Sequence, residues 1–177
     1  MKPRLSSPAL ALICVAVCIG TSGCILGSSK AGDVIAKALP TPNQQLACRD
    51  EGIDGPHGRQ CVLIVPGAEA DVIKRLVNGL TQQGFTTACG QTSTGVPGVE
   101  VIGVRPDMRV VADVMPHGFA QLFDGGAIFF PPGAAVNVNG KKVTIPDGSV
   151  GLTIDASEYQ TAVAIGSSCD DPALRTP

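Results

Sequence analysis

One segment constrains the fold more than any other. It is AEADVIKRLVNGLTQQG, residues 68–84, set between the aliphatic run RQCVLIV (59–65) and the run FTTACG (85–90). Val72, Ile73, Leu76, Val77 and Leu80 recur at the spacing of one helix face, while Lys74, Arg75, Asn78 and Gln82 take the other. Glu69 and Asp71 suit the positive end of the helix dipole, and Gly84 suits its C-terminal stop. The pattern predicts a helix over 69–83. An amphipathic helix buries its stripe against a partner layer, and the β-rich segments on either side supply one.

The flanking segments read as strands. RQCVLIV is β-branched and aliphatic, ends at Pro66-Gly67, and predicts a buried strand. FTTACG predicts another. GVEVIGV and MRVVADVM follow, joined by Arg105-Pro106-Asp107, which is hairpin chemistry. Strand, helix, strand and hairpin make half of a ferredoxin-like plan. Beyond residue 126 the chain reads as three or four more strands, with turns at Asn139-Gly140 and Pro146-Asp147-Gly148. The fold class predicted is α+β: one main amphipathic helix on a mostly antiparallel sheet, with a β-rich second half. Upstream, DVIAKAL is predicted to make two helical turns with Asp33 as N-cap and Pro40 beyond the end.

The N-terminus carries a different signal. Lys2 and Arg4 are the only charges before Lys30, and ALALICVAVCIG (9–20) is apolar on every side. That run is shorter than the roughly 20 residues needed to cross a bilayer. A positive start, a short apolar stretch and small residues before a cut make an export signal over residues 1–23. The following residues, Thr21-Ser22-Gly23-Cys24, resemble the lipobox of bacterial lipoproteins. That resemblance implies cleavage before Cys24, a diacylglycerol on its sulfur, further acylation such as palmitate on the new amino terminus, and attachment to the outer face of the bacterial cytoplasmic membrane. Thr21 departs from the family, which usually has an aliphatic residue there. The alternative is an ordinary signal-peptidase cut after Gly20 or Gly23, releasing a secreted protein. Residues 24–43, with Gly27, Ser28, Ser29 and Gly32, read as a lipidated N-terminus and tether. A single domain is expected over 44–169, and 170–177 (DDPALRTP) reads as a disordered tail.

Seven cysteines occur in the chain. The leader removes Cys14 and Cys18, and Cys24 goes to lipid. Cys48, Cys61, Cys89 and Cys169 remain, an even number in an exported chain, with three possible pairings. Cys48–Cys61 is expected to close the Gly-rich turn RDEGIDGPHGRQ, and Cys89–Cys169 to tie the end of the chain to its middle.

Charge and composition weigh against some functions. Two of the 13 Lys and Arg lie in the leader, which leaves residues 24–177 with 11 against 15 Asp and Glu, a net charge of −4. That disfavours nucleic acid, which requires a basic face. There is no Trp and one Tyr, so stacking platforms for bases or sugars are scarce.

No catalytic signature stands out. His117, in MPHGF, is the better of two histidines, with Asp113 and Asp124 near it in sequence. No serine occupies a G-x-S-x-G elbow, since Ser149 lies in a turn and Ser93 in a polar loop. The bland reading of His117 is a loop histidine bonded to backbone. His57 and His117 lack metal-ligand spacing, Asp50, Glu51 and Asp54 lack the calcium-loop pattern, and no phosphate cradle occurs. No metal or cofactor is expected. Four of the five phenylalanines fall in FAQLFDGGAIFFPPG (119–133). Phe129 and Phe130 are adjacent, so on a strand they point to opposite faces. The core reading takes one of them inward. The binding reading offers the other to a partner, with Phe129, Phe130, Pro131 and Pro132 as the contact.

These readings together describe a non-enzymatic, lipid-anchored binding module of the bacterial envelope, whose partner is an envelope protein or lipid ligand. A carrier of lipid or small ligand with an apolar pocket is the alternative, and an exported hydrolase the third reading.

Overall fold

The structure is a computed structural model. It describes residues 30–39, 41–50, 57–92, 97–121, 127–131, 133–138, 141–158 and 166–170. The leader with Cys24, the tail beyond Asp170, Pro132, Asp124, Ser93 and the acidic residues Glu51 and Asp54 lie outside these.

The chain runs α1 (Lys30–Ala38), β1 (Gln44–Arg49), β2 (Gly58–Pro66), α2 (Glu69–Thr81), β3 (Thr86–Gln91), β4 (Val99–Arg105), β5 (Met108–His117), β6 (Phe119–Gln121), β7 (Ala127–Phe129), β8 (Ala135–Val138), β9 (Lys141–Thr144) and β10 (Ser149–Ser157). Six strands form one antiparallel sheet in the order β1-β2-β10-β5-β4-β3. The fold is α+β, as the helix-among-strands pattern predicts. The β2–α2–β3 unit is a split crossing, with β10, β5 and β4 lying between its two strands. Two further hairpins, β6–β7 and β8–β9, form separate two-stranded sheets.

Both helices cover one face of the sheet. Alternation along each strand sends Leu63 and Val65 of β2, Val110 and Val114 of β5, and Leu152 and Ile154 of β10 to that face. There they join Val72, Leu76 and Leu80 of α2 and Val34 and Ile35 of α1 in one core. Arg75 straps the assembly, donating to the carbonyls of Thr41 at 3.0 Å and Pro66 at 2.7 Å. At the other end Arg105 lies 4.6 Å over the Phe85 ring and donates to the Gln83 carbonyl.

Helix α1 corrects the tether reading. Its Ala31, Val34, Ile35 and Ala38 are buried in the core, so residues 30–38, within the segment assigned as tether, belong to the folded unit. The helix also starts earlier than DVIAKAL. Asp33 lies inside its first turn and is not its cap. Lys30 closes that end with an ion pair to Asp107 at 2.6 Å. The Lys30 ammonium, with Arg105 beside it, holds the Asp107 carboxyl below its ordinary range. The signal that places α1 in the domain is the i, i+3, i+4, i+7 row of Ala31, Val34, Ile35 and Ala38, faint because two members are alanine.

Gly79 is what lets the helices meet. A Cβ on Gly79 would stand 2.8 Å from the Ala38 carbonyl oxygen. Gln83 stitches the same seam, donating to the carbonyls of Val34 and Gly79. Gly79→Ala gains about 1 kcal/mol of helix propensity but meets rigid backbone, an overpacking cost of about 1–3 kcal/mol. The expected result is a net loss of about 1 kcal/mol in urea unfolding, against the propensity trend.

The opposite face is mixed. At one end Val62 and Ile64 pack beneath Phe130 and Ile145, a second and smaller core. Further along, Gln60, Thr153, Asp155 and Ser157 are all buried, and Asp113 sits directly opposite Glu100 on β4.

Candidate functional site

The four expected cysteines are all closed as Cys48–Cys61 and Cys89–Cys169, the pairing favoured among the three. The first joins directly opposed residues of β1 and β2. The second draws residues 166–170 onto the outer edge of β3. There Cys89 and Ser167 exchange both backbone hydrogen bonds, at 2.9 and 2.8 Å. Two closed disulfides are the mark of an oxidising, extracytoplasmic compartment. No described helix is long and apolar enough to cross a membrane.

The proposed contact segment divides. Phe130 is 3% exposed and plugs the second core, its amide donating to the Gly118 carbonyl. As placed it cannot meet a partner. Pro131 is exposed. Phe129 pairs with Phe119 across β6–β7, but its side chain, like Pro132, lies outside the described part. Burial of Phe130 follows from the aliphatic Val62 and Ile64 on the sheet face that no helix covers. Their alternation with Cys61, Leu63 and Val65 makes β2 apolar on both sides, a signal of double coverage present in the sequence.

The candidates for catalysis do not assemble among the described groups. His117 ends β5 opposite Val150, and its side chain is not described. The neighbouring Ser149 is buried and its hydroxyl donates to the Pro146 carbonyl at 2.8 Å, which commits it to the turn. Asp113 is the one perturbed acid near them in sequence. Burial, with the facing Glu100 carboxylate second, pushes its carboxyl up to about 6. Among the described residues no group of three His, Cys, Asp or Glu side chains is placed to hold a metal.

A cleft missed in the sequence lies on the helix side of the sheet. It runs between α2 and the segment pinned by Cys89–Cys169, with a volume of about 520 Å³. That is within the range of small-ligand sites, roughly 300–1,000 Å³. Ile73, Val77 and Val99 line its apolar part, while Asp71, Lys74 and Asp170 supply its charges. It lies between residues 70–78 of α2 and Thr87 of β3, with residues 168–170 as its far wall. Sequence periodicity gives the inward face of α2 but not where the helix lies across the sheet, and only the long-range disulfide builds the far wall.

Comparison of the chain with protein-family models, with curated proteins and with solved structures finds no match.

Proposed function

We propose that the protein is a lipid-anchored, extracytoplasmic binding module of the bacterial envelope, without catalytic activity. The observation that carries this reading is the complete pairing of Cys48, Cys61, Cys89 and Cys169. It leaves Cys24 as the lone cysteine after the leader, where the TSGC resemblance puts the lipid. Helix α1 begins at Lys30, so five residues separate it from Cys24. Fully extended they reach about 20 Å, which would hold the domain close against the membrane surface. Two acyl chains, at about 0.8 kcal/mol for each buried methylene, suffice for stable attachment.

The carrier reading has less support, because Leu63, Leu76, Leu80, Met108, Leu152 and Ile154 fill the space between helices and sheet and are fully buried. The hydrolase reading has least, with Ser149 held by its own turn.

The test is the intact mass of the protein from its native membrane fraction, before and after reduction. A chain starting at Cys24, acylated and gaining four hydrogens on reduction, is the expected result. An unlipidated, soluble product would overturn the anchor and make a diffusible binder the better reading.

A further inference from the structure

The cleft beside α2 gathers charged side chains that the rest of the fold does not use. Asp71 and Lys74 line it from one turn of α2, and Asp170 lines it from the segment pinned by Cys89–Cys169. None of the three joins an ion pair with another described residue, unlike Lys30, Arg59 and Arg105, which hold Asp107, Asp50 and Asp107. Residues three apart on a helix are neighbours on its surface, with Cβ atoms about 5–6 Å apart. One wall therefore presents a carboxylate and an ammonium side by side, and the other presents a second carboxylate. The rest of the lining includes the aliphatic Ile73, Val77 and Val99, of which Ile73 is 6% and Val99 2% exposed. The cleft opens to solvent beside the packed core, so a ligand here needs no hollow between helices and sheet.

The complement of two carboxylates, one ammonium and an aliphatic lining is a molecule with two ammonium groups, one carboxylate and a methylene chain. Deepening the binding reading above and resting on it, we propose that the cleft binds a small dibasic amino acid of the lysine or ornithine type. Its α-ammonium and α-carboxylate, held on one carbon, meet the neighbouring Asp71 and Lys74. Its methylenes lie against Ile73, Val77 and Val99, and its terminal ammonium meets Asp170 on the far wall. A simple diamine fits less well, because it leaves Lys74 facing only like charge. A neutral-chain amino acid leaves Asp170 without a partner. The far wall is preorganised: a disulfide and two backbone hydrogen bonds hold residues 166–170 in place, which lowers the ordering cost of binding. Each pair is exposed and contributes a factor of about three, so selectivity comes from the three acting together.

The test is an NMR titration of the protein as the cell exports it, with both disulfides closed and in detergent if acylated. The probe is free L-lysine. Its counterparts each lack one feature: norleucine the terminal ammonium, cadaverine the carboxylate, and lysine blocked at both α-groups the whole charged head. Saturable shifts centred on the amides of Lys74, Val77 and Cys169 are expected for lysine. Norleucine and cadaverine should each bind about threefold more weakly, and the blocked lysine about tenfold. Two exposed substitutions separate the contacts, with circular dichroism to confirm an unchanged fold. Asp170→Asn should erase the advantage of lysine over norleucine and keep its advantage over cadaverine, and Lys74→Met should do the reverse. Absence of saturable binding, or equal binding of lysine, norleucine and cadaverine, would overturn the proposal. So would an unchanged preference for lysine over norleucine in the folded Asp170→Asn variant. Blocked lysine bound as tightly as the free amino acid would also overturn it, in favour of a residue within a longer chain. A lipidated chain that ignores lysine would overturn the cleft assignment and leave the anchor standing. A soluble chain that binds lysine would do the reverse.

Discussion

Replacing Cys89 and Cys169 together by alanine is expected to cost the domain about 4.5 kcal/mol, the loop-entropy value for a bridge spanning 80 residues. That is a large share of the roughly 5–15 kcal/mol by which domains of this size are stable. The denatured chain gains the freedom of a loop that contains every strand from β4 to β10. The native state loses at the same time, since Cys89 is fully buried and Cys169 packs against the same core. Alanine at both positions avoids leaving a reactive thiol. The same experiment on Cys48–Cys61 should cost less, about 3 kcal/mol, for its separation of 13 residues. Its two strands are held in register by their own ladder in any case. Urea unfolding of both double variants at neutral pH measures the difference. The Cys89–Cys169 pair removed at a cost below about 1 kcal/mol would mean that residues 166–170 are not held against β3, and the cleft would lose its wall.

The helix over 69–83 was legible because its stripe is built from five large aliphatic residues, and it is seen as Glu69–Thr81. The β4–β5 hairpin at Arg105-Pro106-Asp107 and the β8–β9 hairpin around Asn139-Gly140 were equally legible, being local chemistry. Strand β10 was harder. SVGLTIDAS reads as an extension of the sheet, yet all nine residues are buried and the strand occupies the centre, between β2 and β5. Its Thr153, Asp155 and Ser157 look like a solvent face in sequence and are covered in the fold. Long-range strand order does not follow from alternation, which fixes faces but not neighbours. The site suffered from the same gap. Phe129 and Phe130 drew attention as an aromatic pair, and Phe130 went to the second core. Thr87, Val99 and Asp170, far apart in sequence, meet at the cleft only because the sheet edge and the second disulfide bring them there.

That buried polar face leads to the last expected result, in which an apparently conservative change stabilises the protein. Asp113 faces Glu100 across β4 and β5, and like charges directly opposed on a sheet are unfavourable. Burial is the larger influence and Glu100 the smaller, and together they raise the Asp113 carboxyl from 3.8 to about 6. The sign follows from which state holds the proton. Below pH 4 the group is protonated folded and unfolded alike, and contributes no difference. Between pH 4 and 6 the folded state keeps the proton that the unfolded state releases, so stability falls as pH rises. Above pH 6 the full penalty applies, about 3 kcal/mol for a shift of about two units. Asp113→Asn cannot ionise and should recover up to that amount at pH 7, while differing little from the parent at pH 3.5. Glu100→Gln relieves only the charge repulsion and should recover less. Urea midpoints at pH 3.5, 5 and 7 for the parent and both variants provide the test, with the titration of the Asp113 carboxyl followed by NMR. An Asp113→Asn variant whose destabilisation grows from pH 3.5 to pH 7 would show that the carboxylate is held by favourable partners. The sheet face would then be a satisfied polar layer and not a strained one.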